Sequence, residues 1–159
     1  MSQAQWMEEA LALAAEAARE GEIPVGAVVV DRDGVVIGRG RNRRESGDPL
    51  GHAEIYAIAE AARVVGGWRL EGTTMVVTLE PCAMCAGALV NARVERLVFG
   101  ASDPKAGFCG SLGNLVEDPR LNHRLQVERG YEEERSRALL QQFFRELRVR
   151  GPKERWQSG

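Results

Sequence analysis

Thr73-Thr74-Met75-Val76-Val77-Thr78-Leu79-Glu80-Pro81-Cys82-Ala83-Met84-Cys85 passes from one kind of local structure into another without a linker. Thr73 to Leu79 is rich in β-branched residues and reads as a strand. Pro81 suits the first turn of a helix, where no amide donor is needed. The helix it begins carries Cys82 to about Ala92. Leu97, Val98 and Phe99 then form a strand closed by Gly100. On the N-terminal side a helix runs from about His52 to Val65. Ile55, Ile58, Ala59 and Ala62 make its apolar face, and Gly66-Gly67 ends it. Before that, Val25–Val30 and a run starting at Val35 form a hairpin with its turn at Asp33-Gly34. Gly40 to Gly51 lacks periodicity and reads as a loop.

At the start of the chain Ser2 and Gln5 have capping-box spacing. Trp6, Met7, Ala10, Leu11, Ala14 and Ala17 recur behind them at helical spacing. At the other end comes a Gly/Asp/Pro-rich loop from Ala101 to Asn122. A short strand at Leu125–Val127 and a helix from about Glu132 to Arg150 follow. Alternating strands and helices behind an initial hairpin predict a three-layer α/β/α sandwich around a central mixed five-stranded sheet. Residues 1–150 form one domain in this reading, and 151–159 a tail.

The chain has 159 residues, enough for one domain with a real core. Hydrophobic residues make up 44% and charged residues 28%, which excludes disordered, collagen-like and coiled-coil classes. No apolar run has the ~18–20 residues of a membrane span. The polar, acidic start predicts no signal peptide and a cytoplasmic protein. A net charge of −2 excludes a globally basic nucleic-acid binder. Of the 21 basic residues 19 are arginines, a bias that a GC-rich genome also produces. Three cysteines without a secretory signal do not make a disulfide framework.

His52-Ala53-Glu54 and Pro81-Cys82-Ala83-Met84-Cys85 carry the chemistry. One imidazole and two thiolates form a three-ligand zinc set with a place left for water. A closed structural site needs a fourth protein ligand, for which Cys109 and His123 are the candidates. A redox reading of the Cys82/Cys85 pair leaves His-Ala-Glu unexplained. Both motifs fall at helix N-termini, whose dipoles favour thiolates. Residues two apart on a helix diverge by about 200°, so His52 and Glu54 do not ligate side by side. Glu54 is placed instead to exchange protons with a water. Its mundane alternative is an acidic first-turn residue that complements the dipole.

This H-x-E with P-C-x-x-C arrangement is that of the zinc nucleobase deaminases. Around it stand Pro24-Val25-Gly26-Ala27-Val28, Asn42, Asp48-Pro49, Phe99-Gly100-Ala101, Asp103, Gly110-Ser111-Leu112 and Asn122-His123-Arg124. With these motifs the chain resembles the bacterial tRNA-specific adenosine deaminases of the cytidine deaminase superfamily, from about residue 5 to 150. The resemblance implies a cytidine-deaminase-like fold, one Zn²⁺ per subunit on His52, Cys82 and Cys85, and Glu54 as proton shuttle. It implies that Asn42 hydrogen-bonds the target base and that Ala53 offers its backbone amide nearby. Val25 and Leu79 would wall the pocket, and Asp103 would lie beside a flanking nucleotide. It further implies a homodimer that converts the wobble adenosine of an arginine tRNA anticodon to inosine. The mundane alternatives are a self-satisfied loop asparagine for Asn42, plain core for Val25 and Leu79, and a turn starter for Asp103.

An RNA backbone needs cations. Residues 141–159 hold Arg145, Arg148, Arg150, Lys153 and Arg155 against Glu146 and Glu154. Arg41, Arg43 and Arg44 flank Asn42, and Lys105 follows Asp103; all are candidates for phosphate contact with a tRNA anticodon stem-loop. Of Phe143 and Phe144, at least one belongs to the core. Two other readings stand beside RNA editing: a deaminase of free guanine- or cytosine-type bases, and a zinc-stabilised RNA-binding module without turnover. Glu54 argues against the module.

Overall fold

The computed structural model describes residues 1–150. The expected tail at 151–159, with Lys153 and Arg155, lies outside them. In chain order the elements are α1 (Gln3–Arg19), β1 (Gly26–Val30), β2 (Val36–Arg41), α2 (Ala53–Val65), β3 (Thr74–Leu79), α3 (Ala83–Asn91), β4 (Arg96–Ala101), β5 (Gln126–Arg129) and α4 (Glu133–Arg150). A single 3₁₀ turn, Arg44–Ser46, interrupts the loop between β2 and α2.

The sheet order is β2-β1-β3-β4-β5. β1 pairs antiparallel with β2 and β3, while β3/β4 and β4/β5 are parallel. The mixed five-stranded sheet is therefore as the sequence predicts. Side-chain alternation along the strands builds two cores. Ala27, Val29, Met75, Val77, Leu97 and Phe99 pack on one face with Ala57 and Ala61 of α2 and Leu89 of α3. Val28, Val30, Val76 and Val98 pack on the other with Met7, Ala10 and Leu11 of α1, and Leu139 of α4 joins them. Those two faces are the outer layers of the sandwich. The capping box at Ser2 and Gln5 is formed.

Two glycines read as strand ends are points of close approach instead. β2 runs through Gly40 to Arg41, so the following loop begins at Asn42 rather than at Gly40. A Cβ on Gly40 would lie 2.1 Å from the Ala53 carbonyl oxygen, because the first turn of α2 rests directly on β2 there. β4 likewise continues past Gly100, where a Cβ would meet Ser136 Oγ of α4 at 2.4 Å. Gly40 thus sets the height of the α2 N-terminus above the sheet, and with it the place of His52 and Glu54. We expect Gly40→Ala to destabilise the protein by about 3 kcal/mol in urea unfolding, since backbone must move to admit the methyl group; a change below about 0.5 kcal/mol would show that α2 does not rest on this residue.

Candidate active site

α2 begins one residue later than the sequence suggests and α3 two, which leaves Pro81 ahead of the N-cap and outside the first turn, and the difference matters. His52 is the N-cap of α2 and Cys82 the N-cap of α3, each with extended backbone. An N-cap side chain ordinarily accepts a bond from its own helix. Neither does so here, which leaves the imidazole and the thiol available. Cys85, in the first turn of α3, is fully buried beneath them. His52 Nδ1 lies 3.5 Å from Cys82 Sγ and 3.5 Å from Cys85 Sγ. The three donor atoms fall within 4.8 Å of one another.

Those separations fit zinc. A tetrahedral ion with Zn–N of about 2.0 Å and Zn–S of about 2.3 Å places its nitrogen and sulfur ligands about 3.5 Å apart. Among the described residues no fourth histidine, cysteine or carboxylate joins the cluster. The two candidates for closing it are committed elsewhere. His123 Nε2 meets the Val94 carbonyl at 2.6 Å, and Cys109 packs in the core.

The cluster also holds charge unevenly. A hydrogen bond from the Cys85 thiol, aided by His52, brings Cys82 down to about 4 despite burial. Its bond to Cys82 and its burial push the Cys85 thiol up. The bond to Cys82 raises the His52 imidazole. Metal binding must displace such protons, since only thiolate and neutral imidazole ligate.

Glu54 lies beside this group, in the first turn of α2, and is 4% exposed. Burial pushes its carboxyl up to about 7, against the pull of its own backbone N–H and of His52. A carboxyl at that value can both take and give a proton near neutrality.

A cavity of about 190 Å³ opens onto the cluster. Its walls include His52, Glu54 and Cys82, together with Asn42, Val25, Leu79, Asp103 and Arg44. Ala53 is arranged differently from the expectation. Its N–H is taken by Asn42 Oδ1 at 2.9 Å and is not open to a ligand. The bond crosses from the end of β2 to the start of α2 and leaves the Asn42 Nδ2 hydrogens as the donors a base could meet. Asp103 starts a turn at the cavity wall. It lines the cavity, and its Oδ1 accepts the Lys105 and Ala106 amides in a tight turn.

The basic candidates are not equivalent. Arg41 makes a two-pronged ion pair with Glu20, at 2.6 and 3.0 Å, so its charge is already matched. Arg43 stacks over the Tyr56 ring at 5.8 Å. Lys105, Arg145, Arg148 and Arg150 are exposed, and among the described residues none of them is ion-paired. Phe143 is the core member of its pair, 8% exposed against 39% for Phe144.

The loop bearing Arg43 and Arg44 is tied back to α2 by a hydrogen bond from the Tyr56 hydroxyl to Asp48 Oδ2. That bond, with the Leu50 amide, holds the Asp48 carboxyl below its usual range, and the same bond holds the Tyr56 hydroxyl above its own. The depressed Asp48 favours folding above its unfolded value and loses that contribution as pH falls through its folded one. The raised Tyr56 favours folding below about 10 and loses it as pH rises through its folded value. We expect ultraviolet titration to find Tyr56 ionising above the usual tyrosine range and Asp48→Asn to bring it back towards that range; a curve that Asp48→Asn leaves unchanged would break the tether.

Two cavity residues escaped the sequence reading. Glu22 and Glu80 are 4% and 3% exposed, and both line the cavity. Nothing in composition or periodicity marks Glu22. Glu80 stands inside the quoted motif, but its partners are amides at 103–111, which no spacing rule reaches.

Residues 1–148 match the MafB19-like deaminase family. A tRNA-specific adenosine deaminase of Bacillus subtilis is 50% identical over 144 residues, covering 90% of this chain and 89% of that protein. One from Streptococcus pyogenes is 47% identical, with 93% of both covered. Among solved structures, a tRNA:A34 deaminase studied for A-to-I editing at the wobble position superposes with a TM-score of 0.82. It is 43% identical and covers 87% of this chain and 100% of its own. A guanine deaminase of Nitrosomonas europaea, 24% identical, superposes at 0.78 over 89% of this chain and 84% of its own, and shares the fold. The buried carboxyl, the His/Cys/Cys cluster and this kinship lead to one conclusion: the chain belongs to the MafB19-like deaminases and, within them, to the family of tRNA-specific adenosine deaminases.

Proposed function

We propose that the protein hydrolyses adenosine to inosine at the wobble position of a tRNA anticodon, the arginine tRNA being the first candidate. The observation that carries this reading is a buried carboxyl beside a three-ligand cluster that has no fourth protein ligand among the described residues. His52, Cys82 and Cys85 would hold one Zn²⁺ per subunit. When bound, the cation supplies Lewis acidity that lowers the pKa of a water towards ~7.

The remaining steps belong to the chain's own residues. One water adds at the amine-bearing ring carbon, and ammonia departs, leaving a carbonyl. Glu54 would carry one proton from that water to the ring nitrogen, then the second, from the added hydroxyl, to the departing amine, so that ammonia leaves as the carbonyl forms. Its environment keeps it near neutrality, where both transfers are accessible. Asn42, oriented by the Ala53 amide, presents its Nδ2 donors to a ring nitrogen of the base. Val25 and Leu79 enclose the ring and exclude bulk water. The cavity is sized for one base, so the target must leave its stack. An anticodon loop makes that least costly. Asp103 would then border a flanking nucleotide. Arg43, Arg44 and Lys105, with Arg145, Arg148 and Arg150 on α4, are the candidates for the phosphates, while Arg41 would contribute only by leaving Glu20. Cytoplasmic location and a homodimer belong to the same reading.

The test offers purified, zinc-loaded protein an anticodon stem-loop, free guanine and free cytidine, and follows ammonia release. Release from the stem-loop alone is expected; release from free bases with none from RNA would replace the reading with a free-base deaminase. Phosphate anchoring also predicts salt sensitivity. Raising salt from about 50 to 200 mM should weaken stem-loop binding by at least tenfold if about three phosphates are neutralised. A flat response in a filter-binding assay would remove the arginines from that role.

A further inference from the structure

Three buried glutamates line the cavity, Glu22, Glu54 and Glu80, and they are not chemically alike. Glu54 has its own backbone N–H and the cluster as neighbours. Glu22 and Glu80 instead have their oxygens filled by backbone donors from separate loops. Glu22 Oε1 accepts the Glu45 amide at 2.9 Å, and Oε2 accepts the Ser46 amide at 3.1 Å. Glu80 Oε1 accepts the Asp103 amide at 2.9 Å and the Ser111 hydroxyl at 2.5 Å. Its Oε2 accepts the Cys109 and Ser111 amides, both at 3.0 Å. Among the described residues neither carboxylate takes part in an ion pair. A buried charge is tolerated only if it is compensated, and here amide dipoles do it.

We infer that Glu22 and Glu80 are a pair of positioning residues. Each holds one of the two loops that border the cavity, the 3₁₀ turn Arg44–Ser46 on one side and residues 103–111 on the other. Neither is placed to carry protons: each oxygen of Glu22 accepts one loop amide and each oxygen of Glu80 accepts two donors, none of which is released without opening a loop. Each anchor sits where the chain is already fixed. Glu22 follows α1, its own N–H bonded to the Ala17 carbonyl. Glu80 follows β3, its N–H bonded to the Ala101 carbonyl. The second loop wraps its anchor so closely that a Cβ on Gly107 would come within 2.3 Å of the Glu80 carboxyl carbon. The loops carry Arg44, Asp103 and Lys105, all candidate RNA contacts. The two carboxylates therefore preset the rim that meets the nucleotides around the target, and spare the RNA the cost of ordering it.

Glutamine at either position keeps the shape but replaces one acceptor oxygen with a donor facing an amide. Hydrogen exchange followed by mass spectrometry reads the loops without substrate. In Glu22→Gln, amides 45–46 should exchange at least about tenfold faster, with 103–111 unchanged. In Glu80→Gln the pattern should reverse. The kinetic consequence rests on the proposed tRNA reaction. KM for the anticodon stem-loop should rise about tenfold while kcat stays within about threefold, with zinc content unaltered. Ser111→Ala, which removes one bond to Glu80 and leaves three, should shift KM in the same direction by less, and Gly107→Ala should reproduce the Glu80→Gln exchange pattern with the carboxylate intact. These two variants decide the matter should Glu80→Gln not fold. Unchanged protection, or a kcat loss at constant KM, would overturn the inference. A wild-type protein inactive on the stem-loop would refute the proposed function, while the exchange experiment would still decide the role of the two carboxylates.

Discussion

Glu54→Ala is expected to keep one zinc per chain and to lose deamination by about 10³-fold, the weight of a positioned proton carrier. The two halves of that result have separate causes. Zinc stays because Glu54 is not among the clustered donors. Turnover falls because the other buried carboxylates of the cavity are held by loop donors, Glu22 by two amides and Glu80 by three amides and the Ser111 hydroxyl, and do not stand in. Folding should not weaken, since alanine favours helix and the variant removes a carboxyl that burial disfavours when charged. Retention of more than about a tenth of wild-type kcat would take Glu54 out of the mechanism.

Cys82→Ser should have the opposite signature: metal lost first, activity and stability with it. A serine hydroxyl is not a thiolate at neutral pH, so the cluster keeps only two strong donors. Zinc affinity should fall at least about a hundredfold, and zinc should leave on dialysis. Ligand binding to the folded state alone stabilises it by mass action, so the lost occupancy appears as a lower melting temperature. Chelator treatment of the wild-type protein should reproduce most of that shift. Full zinc retention in Cys82→Ser would mean that this thiol is not a ligand.

Much of this molecule is readable from local pattern. The parallel centre of the sheet, β3 and β4, is written in residues 73–99, where a β-branched run and a second apolar run flank a helix. The His52/Cys82/Cys85 cluster is equally legible, because C-x-x-C and H-x-E at helix starts follow local geometry. The glycines are not. Gly40 and Gly100 resemble stops in sequence, yet each lies within a strand, where the backbone of α2 at Gly40 and the Ser136 side chain of α4 at Gly100 approach too closely for a Cβ. That information resides in packing between distant segments. The same limit hid Glu22 and Glu80, whose partners stand 23 to 31 positions away in loops without regular structure. Ala53 failed for a subtler reason. Its amide lies at the expected place, but the Asn42 side chain expected beside it takes the hydrogen bond.

The proposed reaction adds water to adenosine within an anticodon loop under the control of Glu54 and the His52/Cys82/Cys85 cluster. Mass spectrometry of a stem-loop, incubated with the protein in ordinary and in ¹⁸O-labelled water, tests this most directly. A single loop adenosine should gain about 1 Da in ordinary water and about 3 Da in labelled water, as exchange of an amine for a solvent-derived carbonyl requires. RNA of unchanged mass, in the presence of zinc-loaded protein that deaminates a free base, would contradict it.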